Sequence, residues 1–75
     1  MLRSMSNANV EIGARVRVAR KAIRMPQAEM GRRLGLAAFP AFESGRRTWT
    51  GELVGRVVEI VGGINFADLV PRQNA

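Results

Sequence analysis

The chain has no cysteine, no histidine and no tyrosine, and only four aromatic residues: Trp49, Phe39, Phe42 and Phe66. Without cysteine there is no disulfide to staple a 75-residue chain, so one hydrophobic core must suffice near the lower size limit at which it can. Without cysteine or histidine the usual zinc ligand sets cannot be assembled, and no other cofactor is implied. The nucleophile–base pairings of hydrolases that need His or Cys are excluded as well. No Gly-rich loop has phosphate-cradling Walker spacing, and the six carboxylates are scattered. None of this points to an enzyme or to a small-molecule substrate. Long apolar runs are also missing. Leu53–Ile64, the most apolar stretch, is interrupted by Arg56 and Glu59 and is far shorter than a membrane span. Met1–Asn9 lacks the apolar centre of a signal peptide, so the expected location is cytoplasmic.

Negative charge is scarce too. Six acidic residues stand against twelve basic ones, giving a net charge of +6, and Lys21 is the only lysine among the twelve. Arginine grips phosphate oxygens bidentately, so this excess reads as an electrostatic footprint for a polyanion. Coding bias toward arginine gives the same composition without any ligand.

Periodicity predicts an all-α fold, a compact bundle of about five short helices. Residues 1–8 carry no periodicity and read as a flexible arm, residues 9–71 as the folded domain and residues 72–75 as a flexible tail. Asn9 is the expected N-cap of the first helix, whose apolar face is Ile12, Val16, Ala19 and Ile23. Arg17, Lys21 and Arg24 line its other side, and Arg20 lies at the margin. Pro26 opens a second helix carrying Met30 and Leu34 on one face, and Gly35 suits the left-handed turn that ends it. Gly31 inside this helix suggests close approach of a neighbouring backbone. The third element, Ala37–Ser44, holds Pro40, which a helix interior does not accept without loss, so the helix either starts near Phe39–Pro40 or is kinked there. Thr50 caps a fourth helix with Leu53, Val54, Val57, Ile60 and Val61 inward, ended by Gly62–Gly63. Asn65 and Asp68 form the outline of a capping box for a last turn, Phe66–Val70. Phe42 and Phe66 are expected in the core.

Short helix, glycine turn, short helix is the outline of a helix-turn-helix. The run Pro26-Gln27-Ala28-Glu29-Met30-Gly31-Arg32-Arg33-Leu34-Gly35-Leu36 is similar to the polar-Gln-x-Glu-Leu-Ala-x-x-Leu-Gly-Val pattern of the lambdoid phage repressor/Cro family of helix-turn-helix DNA-binding domains. Phe42-Glu43-Ser44-Gly45-Arg46-Arg47 resembles that family's Ile-Glu-x-Gly-x-Arg ending. Gly63-Ile64-Asn65-Phe66-Ala67-Asp68-Leu69 resembles its Gly-Val-Ser-x-x-x-Leu close. The resemblance covers about Ile12 to Val70 and implies a lambda-repressor-like DNA-binding domain. By position, it implies an internal ion pair between Arg20 and Glu43. It also implies phosphate contacts by Gln27 and by the Arg46–Arg47 loop; if the chain binds DNA, Arg17, Lys21, Arg32 and Arg33 are candidate helpers.

The chain departs from the family where bases are read. The six residues between Leu36 and Glu43 are fewer than the family carries there, so the recognition helix is shortened. Ala37, Ala38, Phe39, Pro40 and Ala41 replace residues able to hydrogen-bond a base edge. Two functions follow as expectations. One is a phage- or mobile-element-type transcriptional regulator, a repressor-like homodimer on double-stranded DNA. Its specificity would rest on thymine-methyl contacts by Ala38, Phe39 or Ala41, on DNA shape, or on Arg3 of the arm in a minor groove. The other is a protein-interaction module on the same scaffold, binding a protein partner through Ala37–Phe42, with Phe39 and Trp49 open between an interface role and a place in the core.

Overall fold

The computed structural model describes residues 6–71, and these form five helices: α1 (Ser6–Ala22), α2 (Gln27–Leu34), α3 (Phe39–Glu43), α4 (Gly51–Val61) and α5 (Phe66–Leu69). No strand occurs among the described residues, and none of their helices is long and apolar enough to cross a membrane. Arg3 and the tail from residue 72 lie outside the described residues, as do positions 1–5 of the expected arm.

The first helix starts earlier than its sequence suggests. Residues 6–8 are helical, so Asn9 is inside α1 rather than its cap. Its side chain is committed elsewhere: Oδ1 accepts the backbone N–H of Trp49 at 2.8 Å. Inward on α1 lie Ile12, Gly13, Val16 and Arg20, with Ala19 packed alongside. Ile23, expected on that face, falls in the turn after the helix and is exposed; Met25 packs on the core in its place. Gly13 is there for contact. A Cβ on it would meet the carbonyl of Glu43 inside van der Waals distance, so α1 and α3 touch backbone to backbone.

The core is built from Ile12 and Val16 of α1, Met30 and Leu34 of α2, Phe39 of α3, Trp49 just before α4, Val54 and Val57 within α4, and Leu69 of α5. Three aromatic rings meet there, Phe39 and Trp49 within the core and Phe42 half-buried against it. Trp49 stands edge-on to Phe39, with centroids 6.4 Å apart, and to Phe42, 5.5 Å apart. The indole N–H does not go unpaired: Nε1 donates to the Phe42 carbonyl at 2.8 Å. Phe66 is the exception to the expected core. It is the first residue of a four-residue helix whose inward position is Leu69, and it is 45% exposed.

Caps fix the remaining ends. Thr50 Oγ1 accepts the N–H of Leu53 at 3.1 Å, closing the start of α4, and Gly62, with φ 71°, ends that helix. Asp68 Oδ2 accepts the N–H of Asn65 at 2.8 Å. Arg15, paired with Glu11 at 2.6 Å, also donates Nη1 to the Val70 carbonyl at 3.2 Å and so ties the last turn to α1.

Candidate nucleic-acid interface

The site is organised around one buried carboxylate. Glu43, the last residue of α3, accepts Arg20 Nε at 2.6 Å through Oε2 and Arg20 Nη2 at 3.2 Å through Oε1. Arg20 Nη1 donates to the Met25 carbonyl at 2.7 Å. Gln27 Nε2 donates to Glu43 Oε1 at 2.8 Å. Arginine and glutamate side chains are both nearly closed to solvent, so the pair is tolerated only because its hydrogen bonds are made. These four contacts bind the end of α1, the α1–α2 connection, the first residue of α2 and the end of α3 at one point. The resemblance assigns Gln27 to phosphate. In the structure its amide nitrogen is engaged by Glu43, while the residue as a whole is exposed.

From that anchor the two short helices diverge through a tight turn. Gly35 takes φ 71°, and its N–H and that of Leu36 return to the carbonyls of Arg32 and Gly31 at 3.1 and 2.8 Å. The crossing is close. A Cβ on Gly31 would sit 3.0 Å from the Leu36 oxygen and 3.0 Å from Phe39 Cβ, which accounts for glycine within α2 despite its helix cost. The N-cap of α2 is Pro26, which supplies no side-chain acceptor, and among the described residues the N–H groups of Gln27 and Ala28 have no protein acceptor.

The third helix turns its aromatic side inward. Phe39 is 1% exposed, so the sequence expectation that it contacts a base or a protein partner is corrected: with only five residues in α3, its fully buried ring, with Phe42 half-buried beside it, is needed to hold the helix to the core. Trp49, at 6% exposure with both of its N–H groups bonded, is likewise core and not an interface residue. What α3 and its leading turn present outward is Ala37 and Pro40, with Ala38 and Ala41 half-buried.

The cations sort into two sets. Arg15, Arg20 and Arg33 are paired, with Glu11, Glu43 and Glu29 respectively. Arg33, expected as a phosphate helper, is thus partly neutralised by Glu29 at 2.9 Å. Among the described residues no carboxylate pairs with Arg17, Lys21, Arg24, Arg32, Arg46, Arg47 or Arg56, and all seven are exposed. Arg46 and Arg47 sit in the loop directly after α3, where the Arg46 N–H is held by the Ala41 carbonyl at 2.8 Å. Arg24 has a positive φ of 58°, a left-handed residue in the turn after α1 that the sequence does not announce.

No family model matches this chain, and no curated protein or solved structure matches it.

Proposed function

We propose that this protein is a small DNA-binding regulator of the repressor/Cro-like helix-turn-helix kind, engaging double-stranded DNA through α2, the turn and α3. The observation that carries the reading is the arrangement of charge. Arg32 on α2 and Arg46 and Arg47 after α3 are exposed and unpaired among the described residues, while the two acids of the helix-turn-helix, Glu29 and Glu43, are each held by another arginine, Arg33 and Arg20. The open first turn of α2 adds backbone N–H groups suited to a phosphate oxygen. Arg17 and Lys21 extend the positive surface along α1. Dimerisation on a two-fold site belongs to the same proposal, since one such small unit covers only one half-site.

The alternative, docking of a protein on Ala37–Phe42, loses its anchors. Phe39 and Trp49 are in the core, and an alanine–proline tip lacks the large side chains that carry interface affinity.

The test is a fluorescence-anisotropy titration of the purified chain against its own upstream region and against random duplexes, over a salt series. Tighter binding to the upstream DNA that survives moderate salt is the expected result. Equal, weak binding that disappears as salt rises would reduce the interaction to counterion release and remove the regulator reading.

A further inference from the structure

The open groove between α2 and α3 has a volume of about 500 Å³ and is lined on the side of the turn and α3 by Leu36, Ala37, Phe39 and Pro40. Only two of its lining side chains carry hydrogen-bonding groups, Gln27 and Arg32, and both stand on α2. Gln27 has its amide nitrogen on Glu43. Ser44, next along from α3, donates its hydroxyl to the Ala41 carbonyl at 3.1 Å. The outward side chains of the helix-turn-helix tip, Ala37 and Pro40, therefore offer carbon alone.

Resting on the DNA-binding reading above, we propose that this tip reads the C5-methyl groups of pyrimidines in the major groove, thymine and 5-methylcytosine alike, so that binding is sensitive to cytosine methylation. The groove edge of a base pair consists of hydrogen-bond donors and acceptors plus, on thymine, one methyl group. Covering a donor or acceptor with alanine or proline leaves it unpaired and costs free energy. Covering a methyl removes apolar surface from water and gains it. A carbon-only tip thus favours methyl-bearing pyrimidines over bare ones. It is blind to the amino and carbonyl groups that distinguish thymine from 5-methylcytosine, because the methyl occupies the same ring position in both. The exposed cations Arg32, Arg46 and Arg47 suit the polyanionic backbone on either side and bring the tip to the groove.

The experiment uses one duplex pool prepared three ways: with uracil in place of thymine, with the ordinary bases, and with 5-methylcytosine in place of cytosine. Affinities of the full chain are measured for each across a salt series. The expected order is uracil pool weakest and methylcytosine pool tightest. Each methyl covered is worth about two- to fourfold in affinity, and the salt slope is common to all three. Ala37→Ser together with Pro40→Ser should flatten the order while retaining binding. Equal affinities for the three pools would overturn methyl reading and leave DNA binding standing. An order that persists undiminished in the folded double variant would also overturn it, since the preference would then belong to DNA stiffness. Failure to bind any pool at low salt would sink the DNA-binding reading and this inference with it.

Discussion

The two faces of α3 have opposite characters. Inward, the helix is held by a buried ring, a buried ion pair and a backbone contact through Gly13. Outward, with its leading turn, it presents Ala37 and Pro40. A five-residue helix has too few backbone hydrogen bonds to persist by itself, so nearly every side chain able to do chemistry is used to fix it in place. Exposed positive charge lies on neighbouring segments instead, where Arg32, Arg46 and Arg47 are free of carboxylates among the described residues. Under the proposed DNA-binding function, position and chemistry are separated: α3 would supply the shape and its flanks the charge.

The contrast breaks most readily from the inside. Glu43→Ala leaves the Arg20 guanidinium buried without its partner and should destabilise the fold by about 3–5 kcal/mol. Phe39→Ala should cost a similar amount, about 3–5 kcal/mol, through the cavity left beneath Trp49. On the outer face, Pro40→Ala should cost less than about 1 kcal/mol, mainly through the freer unfolded chain. Urea unfolding of the three variants measures the difference directly. Comparable losses for Pro40→Ala and Phe39→Ala would mean that the inner face does not hold the helix.

Two glycines carry smaller effects of opposite sign. Gly13→Ala drives a methyl into the Glu43 carbonyl and should destabilise by about 1–3 kcal/mol despite alanine's better helix propensity. Gly55 lies in α4, and a Cβ there meets nothing within 4 Å. Gly55→Ala should therefore stabilise by about 0.5–1 kcal/mol. Opposite shifts of the thermal midpoint are the expected result, and shifts of the same sign would remove the close α1–α3 contact from the account.

Local features of the fold were legible before any coordinate. Gly35 at a left-handed turn and Thr50 at an N-cap each follow from the backbone preference of one residue, whereas Pro40 allowed either a helix start at Phe39–Pro40 or a kink, and the structure has the start. The meeting of Arg20 with Glu43 was implied by resemblance rather than by spacing, since nothing in the intervening residues gives their distance. Side-chain direction in the shortest helices was not legible. Five residues in α3 and four in α5 are too few for a periodic pattern, so Phe39 inward and Phe66 outward were settled only by packing. Asn9 misled for a related reason. As a residue type it suits a cap, and its use on the Trp49 N–H, forty residues away in sequence, leaves no local sign.

The most direct test of separated shape and charge is the dependence of affinity on salt, measured for the unaltered chain and for Arg46→Ala combined with Arg47→Ala. Removing one arginine from a DNA phosphate should lower the slope of log affinity against log salt by about 0.9. If both arginines grip phosphate, the double variant should bind more weakly and its slope should fall by roughly 2, with the melting temperature nearly unchanged. An unchanged slope and affinity would contradict the claim that these arginines supply the charge for α3's surface.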